Sequence, residues 1–333
     1  MYFKIKQIPL VNASIQTFYD ALKSSFVLFR IMVPIIILVK ILQELDVIKY
    51  LAIPLAPIMK LVGLPGELGL VWATAILNNL YGAMVVLLSL VRDAPITAAQ
   101  ATVLCTMMLV AHTLPIELKI AQASGPRLLF QAFSRLGSAI LFGWLLHIFY
   151  SYFGLLQGPA TILLKQEAEN ITQRQPLYTW AYQEIQNLLY IFFIILGLFV
   201  FMKILTKLKI VDFLNRALGP FLKFIGIGPK ASAIAMIGLT LGISFGGGLI
   251  IHATRSGQID KKDVFFTLTL MGLSHSLIED TILMVTVGGD LSGLLFARLF
   301  LSTLVVALLV KISLALPIRF CEKFLWGDPA LSG

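Results

Sequence analysis

Residues 111–117 read Ala111-His112-Thr113-Leu114-Pro115-Ile116-Glu117, and residues 274–280 read Ser274-His275-Ser276-Leu277-Ile278-Glu279-Asp280. Each stretch interrupts a long apolar run with a histidine, a hydroxyl residue and an acid. The histidines lie 163 residues apart, and the same shift aligns rarer residues without a gap. Lys40 falls on Lys203, Pro57 on Pro220, Lys60 on Lys223, Gly63 on Gly226 and Arg92 on Arg255. Further on, Gly125 falls on Gly288, Phe133 on Phe296 and Arg135 on Arg298. Leu and Ile coincidences mean little in so apolar a chain; paired histidines, when only 4 exist, mean a duplication.

The composition says where the duplicated unit lives. Of 333 residues 58% are hydrophobic and 13% charged, and the mean hydropathy is +0.91. A soluble domain cannot hide that much apolar surface. Apolar stretches approaching the length that crosses a bilayer core recur, for example at 26–42, 188–202 and 294–310. The lipid bilayer is therefore an expected partner. The net charge of +9 does not point to nucleic acid, because the Lys and Arg flank apolar runs, as the positive-inside rule requires. Cys105 and Cys321 lie too far apart to suggest a disulfide framework or a cysteine metal site.

These observations divide the chain into an N-terminal segment (1–25), repeat 1 (26–156), a polar linker (157–187), repeat 2 (188–319) and a tail (320–333). The N-terminus lacks the long apolar region of a cleavable signal. Residues 8–24 suit either an amphipathic helix on the membrane surface or an ordered soluble arm.

Each repeat reads as a plain helix, a short interfacial helix, an apolar segment broken at its middle, a second broken segment and a closing plain helix. The first break is Asn78-Asn79-Leu80-Tyr81-Gly82 in repeat 1 and Ser244-Phe245-Gly246-Gly247-Gly248 in repeat 2. Charge decides the topology. If the first broken segments dip in and return, the repeats are inverted, and the basic N-terminus, the 203–262 cluster and Lys311, Arg319 and Lys323 share one side. If those segments cross, the 203–262 cluster faces away from the N-terminus. The positive-inside rule favours the first layout. The expected fold is an all-α polytopic membrane protein of two inverted repeats, with six full spans, two re-entrant hairpins and both termini cytoplasmic. The expected location is the cell membrane.

Unpaired backbone groups cannot face lipid, so helix breaks at membrane depth line protein or a watery cavity. Paired discontinuous helices in inverted repeats are the pattern of secondary transporters. At the second breaks, Thr113 and Ser276 suit N-caps of restarted helices, Ser276 with Glu279 fits a capping box, and Pro115 is tolerated in a first turn. Glu117, Glu279 and Asp280 either complement a helix dipole or mark an ion path, and one role does not exclude the other. Histidine and buried acids suit proton coupling, and the same groups could hold a divalent cation. The candidate metal ligands are His275, Glu279 and Asp280, although no His-Glu-x-x-His zinc motif occurs. At the first breaks, the glycines allow close backbone approach, and Ser244, Asn78, Asn79 and Tyr81 offer polar atoms. Arg135 and Arg298 either snorkel or pair with an acid. His147 and His252 have no histidine counterpart and read as structural.

The order of elements, the Gly246-Gly247-Gly248 tip and the His275-to-Asp280 break resemble the nucleoside-recognition, or Gate, domain. The arrangement looks like the transport core of concentrative nucleoside transporters, and related domains occur in ferrous-iron transport protein B and spore maturation proteins A and B. The resemblance implies an elevator-type carrier for a small polar solute or ion, driven by Na+ or H+, with no resident cofactor and as a homo-oligomer. It implies substrate and ion contacts near Asn78, Asn79, Tyr81, His112, Thr113, Glu117, Ser244, Gly246, Gly247, His275, Ser276, Glu279 and Asp280. Neither first break carries an acid, a departure from the nucleoside carriers. A divalent metal carrier, or a membrane assembly or sensor protein that kept the fold, is the alternative. An enzyme is not expected, since no activated nucleophile or open metal site is legible.

Overall fold

The computed structural model describes residues 53–91, 95–163 and 259–327 continuously, together with scattered single positions elsewhere. The Ser244–Gly248 tip, Arg92, Arg255 and His252 lie outside the described residues, as does nearly all of the first plain helix of each repeat. Among the described residues the chain is all helical, with α1 (Ala56–Leu61), α2 (Leu68–Leu77), α3 (Leu80–Val91), α4 (Ala98–Val110), α5 (Leu114–Ala123) and α6 (Leu128–Tyr152). Repeat 2 contributes α7 (Lys261–Ser274), α8 (Glu279–Val285), a π-helical turn (Ser292–Ala297) that runs into α9 (Arg298–Ala315), and α10 (Ile318–Phe324).

The burial pattern is that of a protein surrounded by lipid. In α6 the buried stripe is Gln131, Arg135, Ser138, Ala139, Phe142, Gly143, Leu146 and Tyr150, at three- and four-residue spacing. Gln131, Arg135 and Ser138 of α6 thus face inward, while Leu129, Phe133, Leu141, Trp144 and Ile148 are exposed. In α9 the buried residues include Arg298, Ser302 and Thr303, and the exposed ones Phe300, Leu304, Leu308 and Ile312. An apolar exterior over a polar inner stripe inverts the soluble rule and is stable only in hydrocarbon. By contrast, α4 and α7 are buried nearly all round. Among the described residues, four continuous or once-broken segments are long and apolar enough to cross a membrane, at Ala98–Ala123, Leu128–Tyr152, Lys261–Val285 and Ser292–Ala315. The broken pair forms the centre and the plain pair the flanks.

α2 and α3 pack against each other. With 10 and 12 residues they are about 15 and 18 Å long, too short singly for a hydrocarbon core of about 30 Å. Asn79 precedes α3, its Oδ1 accepting from Gly82 N–H at 2.8 Å.

Some backbone features follow the 163-residue shift. Left-handed conformations recur at matched positions: Gly63 and Gly226, Gly125 and Gly288, Thr113 and Ser276. α4 begins with a reciprocal capping box between Thr97 and Gln100, and at the equivalent start of α7 the Asp260 side chain accepts from Lys262 N–H. The segments that follow the two repeats, the start of the linker and the tail, also cross over. Leu163 N–H donates to Thr286 C=O at 2.9 Å, while Arg127 N–H donates to Leu325 C=O at 2.9 Å and Gly327 N–H to Gly125 C=O at 2.8 Å.

Candidate functional site

Both central segments break where the sequence places their histidines. α4 ends at Val110 and α5 starts at Leu114; α7 ends at Ser274 and α8 starts at Glu279. The restart is not the capping expected of Thr113 and Ser276. Thr113 precedes α5 with φ 50° and no side-chain cap. Ser276 has φ 48°, and the residue preceding α8 is Ile278, also uncapped. An N-cap must be extended for its hydroxyl to reach the following N–H groups. A left-handed residue turns the chain instead, and the backbone closes the turn: Thr113 C=O accepts from Glu117 N–H, and Ser276 C=O from Asp280 N–H, both at 3.2 Å. Pro115 does sit in the first turn of α5. Each break is also tied to the segment before it. Thr113 N–H donates to Ala75 C=O and Leu277 N–H to Leu239 C=O, both at 2.9 Å.

The two breaks meet. His112 Nε2 lies 3.1 Å from His275 Nε2. The opposite ring nitrogens point back into their own helices: Nδ1 of His112 is 3.0 Å from Met108 C=O, and Nδ1 of His275 is 2.9 Å from Met271 C=O. Glu117 Oε1 lies 3.2 Å from His275 Nε2 and 4.0 Å from His112 Nε2. Its other oxygen accepts from Arg135 Nη1. Arg135 also donates from Nε to Val110 C=O at 3.0 Å and from Nη2 to His112 C=O at 3.1 Å. One guanidinium thus satisfies both the acid and the carbonyls freed where α4 ends, which is what a break buried away from water needs. Gly272 of α7 leaves room for this side chain, since a Cβ there would stand 3.2 Å from Arg135 Cδ.

Repeat 2 presents the equivalent residues with one difference. The 163-residue shift places Asp280 on Glu117 and Arg298 on Arg135. Asp280 Oδ2 is 3.8 Å from His112 Nε2, mirroring the contact of Glu117 with His275. The shorter aspartate, however, does not close on its arginine. Arg298 is fully buried, and its Nε and Nη1 have no partner among the described residues. Its Nη2 reaches Thr281 Oγ1 at 3.4 Å. His112, Glu117, His275 and Arg135 are each at most 6% exposed.

The remaining sequence candidates lie around this cluster or outside it. Tyr81 is within electrostatic reach of Glu279 and Asp280. Asn78 ends α2. Glu279 forms no ion pair among the described residues, so the side chains that offer ligand atoms within 4.8 Å of one another are His112, His275 and Asp280. Ser244, Gly246 and Gly247 lie outside the described residues. Sequence reasoning left Arg135 and Arg298 out of the candidate site. The signal that could have included them was already present: they obey the same shift as the histidines and the acids.

Residues 188–291, which hold repeat 2 of this cluster, match a family model described as Gate, nucleoside recognition. They form a Gate domain. The match takes in His275, Ser276, Glu279 and Asp280, together with the glycine-rich stretch Ser244–Gly248. The uncharacterized membrane protein YvoD of Bacillus subtilis strain 168 is 24% identical over 285 residues, 83% of this chain and 87% of its own length. No solved structure matches. The protein is a membrane protein with a Gate domain in its second half, and residues of its first half meet that domain side chain to side chain.

Proposed function

We propose that the protein is a secondary active carrier that moves a small polar solute across the cell membrane, coupled to a proton or cation gradient. The observation that carries this reading is the meeting of two helix breaks through His112, His275, Glu117 and Asp280 at the buried centre. Ionisable side chains at that depth are costly and ordinarily serve substrate or ion paths. Discontinuous helices facing each other are where secondary carriers bind both substrate and coupling ion. The hairpins and broken helices would move together as an elevator against the plain helices, in six spans with re-entrant hairpins and cytoplasmic termini. The Gate description makes nucleoside-like solutes the first to try.

The test is uptake into proteoliposomes under an imposed proton or sodium gradient, across a panel of nucleosides, nucleobases and small organic acids. The expected outcome is gradient-driven accumulation that is lost in Glu117→Gln and in Asp280→Asn, while both variants remain folded. Absence of gradient-driven uptake across the panel would favour a membrane assembly or sensor protein that retains the fold. Uptake that survives both substitutions would mean that these acids only stabilise the breaks.

A further inference from the structure

We propose that His112, His275 and Asp280 form a binding site for one divalent transition-metal ion of the zinc or iron(II) type. The argument begins with the protons on the imidazoles. Each Nδ1 faces a backbone carbonyl, at 3.0 Å for His112 and 2.9 Å for His275. A carbonyl only accepts, so each Nδ1 carries the hydrogen. In the neutral rings both Nε2 atoms are therefore bare, and they stand 3.1 Å apart. Two nitrogen lone pairs at that distance repel unless an electrophile lies between them.

A metal ion fits the geometry. Zinc–imidazole bonds near 2.0–2.1 Å at a tetrahedral angle put two ligand nitrogens about 3.3 Å apart, close to the spacing observed. Anchoring the far ring nitrogen to a backbone carbonyl is the usual support of a metal-ligating histidine, because it fixes the tautomer and aims Nε2. The third ligand is Asp280, with Oδ2 3.8 Å from His112 Nε2 and all three ligand atoms within 4.8 Å of one another.

The difference between the repeats decides which acid ligates. Glu117 is held by Arg135, which neutralises it. Asp280 is not held by Arg298, whose Nε and Nη1 find no partner among the described residues. Asp280, with no guanidinium on its oxygens, is therefore free to ligate a cation, while Glu117, 3.2 Å from His275 Nε2, adds a nearby oxygen. Two imidazoles and one carboxylate select borderline ions such as zinc or iron(II) over sodium, magnesium or calcium. A shared proton between the two Nε2 atoms is the competing electrophile.

The inference does not rest on transport, and its test needs no gradient. Untagged full-length protein in detergent, stripped with chelator, would be titrated near neutral pH with Zn2+ by calorimetry and with Co2+ by visible absorption. One ion per chain is expected. His112→Gln, His275→Gln and Asp280→Asn should each weaken binding about tenfold or more, while His147→Gln should bind like the wild type. Should those variants misfold, X-ray absorption of the zinc-loaded wild-type protein reads the site directly, and two imidazoles with oxygen and no sulfur are expected. The proposal is overturned if the wild type binds neither ion, as a proton-only pair would. It is equally overturned if folded His275→Gln binds with full strength, or if the shell holds fewer than two imidazoles or includes a cysteine sulfur.

Discussion

Arg135 and Arg298 occupy equivalent positions and are bound differently. Arg135 closes on Glu117 and on two carbonyls, whereas among the described residues Arg298 makes one long hydrogen bond, to Thr281. Removing one partner of a buried ion pair leaves an uncompensated charge and costs about 3–5 kcal/mol. Arg135→Met should therefore lower stability by about that much, and Arg298→Met by clearly less, in denaturant unfolding of the detergent-solubilised protein. Equal losses, or the reverse order, would show that the contact network is not what distinguishes them. Adding Glu117→Gln to Arg135→Met should recover part of the loss, because the stranded carboxylate becomes neutral. At this scale the sequence made the histidines and acids visible, since charged and imidazole groups stand out inside apolar runs. It did not reveal that Glu117 reaches across to His275 of the other repeat. That contact depends on how two distant breaks pack, and spacing along one helix carries no such information.

At the level of helices, the sequence signalled that the central segments break but not how they turn. Thr113 and Ser276 are residue types that favour N-caps, and the same types tolerate a left-handed turn poorly. Local propensity therefore argued for the cap, and packing of the breaks against each other argued for the turn. Packing prevailed, as it does when a site over-determines its backbone. The glycine turns test the same idea in a simpler setting. Gly63 has φ +72°, and a Cβ there would lie 2.1 Å from His147 Nδ1. Gly226, its counterpart, has φ +91° but faces Val310 at a tolerable 3.4 Å. Gly226→Ala should cost the left-handed strain alone, about 1–2 kcal/mol, and Gly63→Ala more, with His147 displaced. Thermal unfolding of the two variants under identical detergent conditions checks the order. His147 has no histidine counterpart because Val310 stands in its place, which agrees with the structural reading of that residue.

For the molecule as a whole, the all-helical membrane fold was legible, because hydropathy is a property of the chain itself. The side of the membrane reached by each end is a separate matter, argued from charge alone. The proposed layout puts both termini in the cytoplasm and the 157–187 linker outside. Cys105 and Cys321 are buried and free, so background labelling should be low. Single cysteines introduced in the linker should then react with an impermeant maleimide in intact cells, and those in the C-terminal tail only once the cells are opened. Labelling of both from one face would mean that the repeats run in parallel and that the hairpins cross completely.

The crossed-over segments that follow the repeats bear on how this protein is made. Residues near 163 seat against Thr286, and residues 325–327 against Gly125 and Arg127. A nascent first half therefore leaves the ribosome missing the strap that finishes its own loop, and must wait in the bilayer until residues 325–327 have been made. Half-length products should be cleared by membrane proteases, and trimming the chain just ahead of Trp326 should undo a loop assembled some two hundred residues earlier.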